Sequence, residues 1–299
     1  MIVLVETRRL QLLLELSRQG SMREVADQLG ITTSTVSQQI AALSRDIGAV
    51  LVEPDGRNVR LTPAGRRLAA HAVTILAAVS TARADLDPGA APAGTVRVSG
   101  FATAIRRALL PIIADFGETH ADVHVVVQEH EPAEALALLA IDDIDLALTY
   151  DYNLAPASSD PAVDTVSLWS TPWALGVPAS AAAGITGNAP DIFRAFRDHH
   201  WIGNSRNQAD EQVIKLIASM AGFQPHLAHK ADSLDLVEDL ILAGMGVGLL
   251  PADRAPRQGV ARLALADPDL LLRAYAQTRR GRSAWPPLTL LLRRLGSSN

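Results

Sequence analysis

Thr32, Thr33, Ser34, Ser37 and Gln38 form a run of hydroxyl and amide side chains, and no carboxylate follows until Asp46. Groups of this kind exchange hydrogen bonds without adding negative charge, which suits approach to phosphates and base edges in the major groove of DNA. A helix face meant only for solvent more often carries Glu and Lys in i,i+4 pairs. A second polar group, Arg57, Asn58 and Arg60, follows about twenty residues later and has the charge to touch phosphates. Base reading and phosphate contact are the chemistry these residues offer.

The flanking sequence supplies the elements to hold them. Ser21–Leu43 reads as two short helices joined by a tight turn. Ser21 followed by Glu24 forms a capping box, Val25, Ala26 and Leu29 give an apolar face, and Gly30 ends the helix. Ile31 is the turn's buried pivot, Thr32 caps the second helix, and Val36, Ile40 and Leu43 face inward. Ser21 stands with the polar run as a DNA-contact candidate. An ordinary helical hairpin with an uncharged surface is the alternative. Thr7–Arg18 reads as a first helix with Leu10, Leu13 and Leu14 buried, and Val50–Leu61 as a β-hairpin turning at Asp55-Gly56. A basic hairpin beside a helix–turn–helix is a wing. Thr62-Pro63 then starts a helix that runs to Leu86. Its apolar residues Leu68, Ala72, Ile75, Val79, Ala82 and Leu86 are spaced 4, 3, 4, 3, 4, the pattern of a two-helix seam. Dimerisation through Leu68, Ala72, Ile75 and Val79 is the better reading, and an intramolecular helix face is the other.

Length and composition narrow the field. A chain of 299 residues suggests two or three units. With 27 basic and 32 acidic residues the formal charge is -5, so any DNA footprint is confined to a small part of the chain. The absence of Cys excludes disulfides, zinc–thiolate sites and cysteine nucleophiles. Met1–Val5 is too short for a signal peptide and no apolar run approaches about 18–20 residues, so a soluble cytoplasmic protein with no membrane partner is expected.

The order Gly20-Ser21, Ala26, Leu29, Thr32, Val36-Ser37-Gln38-Gln39-Ile40, Leu43, Ile47-Gly48, Leu51, Arg57 and Val59-Arg60-Leu61-Thr62-Pro63-Ala64-Gly65 resembles the LysR-type transcriptional regulators. The match covers about the first 85 residues. Two departures matter. The family often has Pro where this chain has Ser34, and Arg where it has Gln38. Gln38 replaces a guanine reader with a side chain that favours adenine, so the operator sequence does not carry over.

Beyond Asp87–Gly94, a small-residue linker rich in Pro and Gly, strands alternate with helices, which implies an α/β fold with parallel sheet. Strands are expected over Thr95–Ser99, Val123–Gln128, Ile144–Tyr150, Val166–Trp169, Trp173–Val177, His226–Ala231 and Gly246–Leu250. Helices are expected over Ala104–Glu118, Ala133–Leu139, Ile192–Phe196, Asn207–Ala221, Ser233–Ala243 and Pro287–Leu295. The resemblance implies a two-lobed effector domain like the periplasmic solute-binding proteins. The expected organisation is a winged helix–turn–helix over 1–62, a linker helix over 63–86, a flexible linker over 87–94 and an effector domain over 95–299. Its first lobe would take 95–164 and 270–299 and its second 165–269, with the chain crossing near Thr165 and again near Leu263–Leu270.

In such a fold ligands sit between the lobes, beyond the carboxyl ends of strands. That singles out Ser99, Gly100, Phe101 and Thr103 at the first strand-to-helix turn, where backbone N–H groups could hold an anion. It also singles out Tyr150 and Asp151, then Asn204, Ser205 and Arg206, and Gly246 from the other side. Arg206 could pair with a carboxylate, which would make the effector anionic, or be a surface arginine at a helix start. Phe101 is expected to narrow the cleft. His199-His200 and His226-Leu-Ala-His229 are set aside as metal ligands, because strand alternation puts residues 226 and 229 on opposite faces. There is no Gly-x-Ser-x-Gly elbow, and Gly244-Met-Gly-Val-Gly248 precedes a strand rather than a helix, so neither acyl transfer nor dinucleotide binding is indicated.

The expectation is therefore a homodimeric or homotetrameric regulator of double-stranded DNA that answers to a small-molecule effector, with RNA polymerase as a compatible partner and no catalytic residue, metal or cofactor. An α/β enzyme with an accessory DNA-binding domain and a ligand-independent DNA-binding protein are the other function classes.

Overall fold

A computed structural model describes residues 5–56, 58–86, 91–255 and 257–297. The N-terminal unit contains α1 (Thr7–Gln19), α2 (Met22–Leu29) and α3 (Thr33–Ile47), then the antiparallel strands β1 (Val52–Asp55) and β2 (Asn58–Leu61). Leu10, Leu13, Val25, Val36, Ile40 and Leu43 are buried together. Leu29 is 37% exposed and contributes little to this core, because Gly30 ends α2 just after it. Ser21 Oγ accepts from the backbone of Arg23 and Glu24 at 3.3 and 3.5 Å, so the serine half of the expected capping box is formed.

Thr62 anchors the start of α4 (Pro63–Leu86). Its hydroxyl donates to Val50 O at 2.6 Å and accepts from Gly65 N at 3.0 Å. A Cβ on Gly65 would stand 2.1 Å from Leu51 O, so only glycine lets α4 lie against the chain leading into the wing.

The rest is α/β. In chain order it runs β3 (Gly94–Gly100), α5 (Ala102–Ala104), a π-helical turn (Ile105–Leu109), α6 (Leu110–Thr119), β4 (Val123–Glu129), α7 (Pro132–Ala140), β5 (Leu146–Tyr152) and β6 (Val163–Pro178). Then come α8 (Ala189–Ala195), β7 (His200–Gly203), α9 (Ala209–Met220), β8 (His226–Lys230), α10 (Leu234–Leu242), β9 (Val247–Pro251), β10 (Val260–Ala264), β11 (Leu271–Arg279) and α11 (Pro286–Ser297). The strand order is β4-β3-β5-β11-β6-β9-β7-β8, with β10 also paired to β6. Each outer trio is parallel, and the antiparallel strands β6 and β11 join the two.

Three differences from the sequence expectation bear on the site. The two strands expected around Trp169 and Trp173 are one strand, β6. Proline usually breaks strand pairing because it lacks an N–H, but Pro172 sits where β6 changes partners. Upstream residues pair with β11 and those from Trp173 onward with β9 and β10. The chain therefore passes between the two halves of the sheet near Pro172, later than Thr165. β7, β10 and β11 are absent from the sequence expectation. β5 begins and ends two residues later than expected, which puts Tyr150 and Asp151 inside it. Asp87–Ala90, half of the expected linker, lie outside the described residues.

The N-terminal unit rests on this sheet domain through Arg18, whose Nη2 lies 2.9 Å from Asp142 Oδ2, and through Thr81, which donates to Ala284 O at 2.7 Å. Gly65→Ala should destabilise the N-terminal unit by about 1–3 kcal/mol, read as a lower urea midpoint, because backbone must move to admit the methyl group. Gly117→Ala, with nothing within 4 Å of the new Cβ, should raise stability by about 0.5–1 kcal/mol.

Candidate nucleic-acid face and ligand cleft

α3 divides its residues as its periodicity requires. Val36, Ile40 and Leu43 are buried, whereas Thr32, Thr33, Ser34, Ser37 and Gln38 are exposed on the other side. Thr32 caps the helix by accepting from Thr35 N at 3.1 Å, and its hydroxyl also lies 2.8 Å from Ser34 Oγ. Gln39 is held inward, accepting from Arg9 Nε at 3.0 Å, which leaves Gln38 as the outward amide. In the wing, Asn58 and Arg60 are exposed and Arg60 Nε lies 2.9 Å from Glu53 Oε1. Arg57 lies outside the described residues.

The apolar stripe of α4 is not one uniform seam. Ala72 is fully buried against the N-terminal core and Leu68 packs on the same cluster, so both serve the chain's own packing on α1. Ile75 stays 42% exposed and Leu86 87% exposed, while Val79 is half-buried. The reason is geometric: α1 lies across the first turns of α4 and takes that part of the stripe.

In the sheet domain a cavity of about 650 Å³ opens between the two halves. Phe101, Tyr150 and Trp173 form an aromatic wall. Phe101 and Tyr150 meet edge to face at 4.7 Å, and Tyr152 links Tyr150 to Trp173 at centroid distances of 6.1 and 5.5 Å. Acidic groups stand among them. Glu131, at the N-terminal end of α7, accepts from the Tyr150 hydroxyl at 3.0 Å. Asp210, in the first turn of α9, comes from the opposite half.

Burial pushes the Glu131 carboxyl above its ordinary range, with the Tyr150 hydrogen bond and the Arg206 charge working the other way. Asp210 is pushed up to about 7, again mainly by burial. The Tyr152 hydroxyl beside it opposes the shift, and Glu131 and Asp232 add repulsion. Tyr150 and Tyr152 are both pushed well above the phenol range, first by burial and then by the Asp210 charge.

The rim is cross-linked. Arg206 Nε lies 3.0 Å from Asp232 Oδ2, and its terminal nitrogens reach across to Glu134 at 3.4 Å and Glu129 at 4.0 Å. Arg107 pairs with Asp253 at 3.0 Å and lies 5.1 Å from the Trp169 ring centre.

Residues 7–66 match the family model described as bacterial regulatory helix-turn-helix protein, lysR family, and residues 89–298 match that of the LysR substrate binding domain. The chain belongs to the LysR family of transcriptional regulators. It is similar to the transcriptional dual regulator GltC of Bacillus subtilis, with 29% identity over 261 residues that cover 85% of this chain and 84% of GltC. Among solved structures it resembles full-length OxyR from Pseudomonas aeruginosa with a TM-score of 0.75 at 17% identity, covering 99% of this chain and 94% of that one. It also resembles CbnR, a LysR family regulator solved with its target DNA, with a TM-score of 0.51 at 22% identity, covering 98% of this chain and 99% of that one.

The regulator's cleft holds only some of the residues expected there. Phe101, Thr103, Tyr150 and Asn204 line it. Ser99 is buried at the end of β3, with its hydroxyl 2.9 Å from His130 Nδ1, and is not free to hold an anion. Gly100 packs against Leu148, where a Cβ would come within 2.5 Å of the leucine Cβ. Gly246 packs on His200 O in the same way, at 2.7 Å. Asp151 points to the other face of β5 because side chains alternate along a strand. There it pairs with Arg273 at 2.9 Å and accepts from the Tyr275 hydroxyl at 3.1 Å. Ser205 is turned onto Asp232, its backbone N–H donating at 2.7 Å. Arg206 guards the entrance, but three carboxylates already surround it.

Sequence reasoning missed Glu131, Asp210, Trp173 and Asp232. The available signals were Glu131 directly before a proline-started helix and acidic residues in a helix first turn. Both patterns are ordinary in surface helices. The expected opposition of His226 and His229 also fails. β8 bulges between Leu227 and His229, so both histidines turn to the side of His200, with ring centres at 4.9 and 5.6 Å from it. Among the described residues no group of three His, Asp or Glu is arranged to hold a metal ion.

The raised Asp210 pKa has a stability consequence. Between the ordinary value of 3.8 and about 7, the folded state binds a proton that the unfolded state has released, so this group makes stability fall as pH rises through that window. The cost at higher pH is on the order of 2–4 kcal/mol at most. Asp210→Asn should therefore raise the melting temperature at about pH 8 and change it little at about pH 5. An equal shift at both pH values would show that Asp210 does not titrate in this window.

Proposed function

We propose that this regulator binds promoter DNA sequence-specifically as a homo-oligomer, through the exposed face of α3 and the wing, and that a small molecule held in the cleft modulates that binding. The observation that carries the DNA reading is the division of α3. One side is committed to the core, while Thr33, Ser34, Ser37 and Gln38 present uncharged hydrogen-bonding groups outward. Two such helices, brought together by the exposed part of α4 around Ile75 and Leu86, would meet successive turns of the major groove. The cleft supports the effector reading because it lies where two halves of one sheet domain meet and combines an aromatic wall with a few polar groups.

Cytoplasmic location follows from the DNA partner. Among the described residues no helix is long and apolar enough to cross a membrane. Among the described residues none of the cleft hydroxyls, Thr103, Thr171 and Ser233, is hydrogen-bonded to a histidine or carboxylate base, so the enzyme reading has no activated nucleophile to rest on.

Fluorescence anisotropy with DNA from upstream of the regulator's own gene, against random competitor, tests this directly. Gln38→Ala should weaken specific binding by about 1–3 kcal/mol and leave random DNA little changed, whereas equal losses would confine Gln38 to the backbone. Arg60→Ala should weaken both and lower the salt slope by about one, after allowance for its pairing with Glu53. No binding to any DNA at low salt would overturn the reading.

A further inference from the structure

We infer that the cleft takes an organic cation, specifically a protonated amine or a guanidinium, held between Glu131 of one half and Asp210 of the other. The inference rests on the cleft being the effector site and specifies what that site selects.

Charge accounting comes first. The basic groups near the cavity are at its rim, and most are spoken for. Arg107 pairs with Asp253, Arg254 with Asp235, and Arg206 with Asp232, Glu134 and Glu129, while Arg106 is exposed to solvent. Glu131 and Asp210 are deeper, and neither has a cation within ion-pair distance among the described residues. Asp210 Oδ1 is shielded from solvent, and its neighbour there is the fully buried Tyr152 hydroxyl. Two carboxylates from opposite walls of one cavity, with no cation paired to either among the described residues, favour a positively charged partner that donates N–H bonds.

The walls agree. Phe101, Tyr150 and Trp173 present aromatic surface around the same space, and ring faces attract cations. A guanidinium or ammonium could donate to both carboxylates while its carbon chain lies on the rings. An anion finds the reverse. The first turn of α9 is occupied by Asp210 and Glu211, which cancel the attraction of its N-terminal end. A cation spanning Glu131 and Asp210 would also replace repulsion between the two halves with attraction, so it would bind a closed cleft better than an open one.

Binding should be linked to protons. Asp210, faced by Tyr152, Glu131 and Asp232, holds its proton up to about pH 7, and Glu131, faced by Tyr150, Arg206 and Asp232, is also raised. A cation favours the ionised forms. Affinity should therefore rise with pH through the neutral range, by up to about tenfold per unit below the Asp210 midpoint, and binding should release protons.

The test uses the full-length protein with agmatine and putrescine, and with butane-1,4-diol and succinate as neutral and anionic comparators of matching length. Binding is read by calorimetry and by tryptophan fluorescence, since Trp169 and Trp173 line the cavity. The expected result is that agmatine or putrescine binds and the comparators do not. Asp210→Asn, which keeps shape, should weaken binding by about tenfold or more and flatten its pH dependence, and Glu131→Gln should weaken it independently. Failure of both cations to bind the folded protein, or preference for succinate or the diol, overturns the cation assignment. If succinate binds and Phe101→Leu alters its affinity, the cleft remains the ligand site and only the class is wrong. If agmatine binds with affinity indifferent to Asp210→Asn, Glu131→Gln and Phe101→Leu, the ligand lies elsewhere and both readings fall.

Discussion

β6 is the constraint on which the sheet domain depends. Its first half is hydrogen-bonded to β11 and its second half to β9 and β10, so two parallel trios that could have been separate bodies share one strand. The partner change at Pro172 costs no ladder bond, because the residue without an N–H stands where the pairing changes hands. Trp169, Thr171 and Trp173 flank that point and all line the cavity. The cleft is thus a consequence of the sheet: where one strand leaves one set of partners for another, the layers above it part, and space opens.

Keeping that space polar has an energetic cost. The described core of this domain is continuous from Val96 to Leu295 and includes residues on both sides of the cleft, so burying more apolar side chains there would have been structurally simple. Instead the wall carries Glu131 and Asp210. Tyr150 donates to Glu131 and the Tyr152 hydroxyl lies beside Asp210, but no cation pairs with either carboxylate among the described residues. Contrast Asp145, buried beneath β3. Arg97 and Arg282 both contact it, at 3.1 and 2.9 Å, and although burial alone would raise its carboxyl, their charges hold it below the ordinary range. Two similar carboxylates in one fold therefore differ in kind. Asp145 is held by two arginines, whereas Asp210 has a phenol beside it and no cation within ion-pair distance among the described residues.

The N-terminal unit was legible in the sequence because its signals are local. Caps at Thr32 and Thr62, the left-handed Gly30, and the spacing of Val36, Ile40 and Leu43 all act within a few residues, and each forms as read. The alternation of strands and helices was also readable. The cleft residues were not, because their roles depend on partners far along the chain. Asp151 and Asp210 look alike in sequence, yet Asp151 is paired with Arg273, 122 residues on, and Asp210 has no such partner. Arg206 reads as an anion receptor until Glu129, Glu134 and Asp232, from three separate segments, are placed around it. The same holds for α4, whose even stripe does not reveal that α1 takes its first two positions. A bulge that realigns His229 with His226 has no sequence mark at all.

α7 brings the two functional ends of the molecule within reach of one another. Glu131 caps its N-terminal end at the cleft, and Asp142, two residues past its C-terminal end, is the carboxylate that Arg18 of α1 contacts. A helix of nine residues is about 13 Å long and hardly compressible. α7 therefore fixes the separation of Glu131 and Asp142 as one rigid body. Asp142 is itself only partly satisfied. Its Oδ2 takes Arg18, while Oδ1 makes no hydrogen bond and has only Arg279, at 3.8 Å. α7 thus joins a carboxylate of the cleft to the carboxylate on which the N-terminal unit rests.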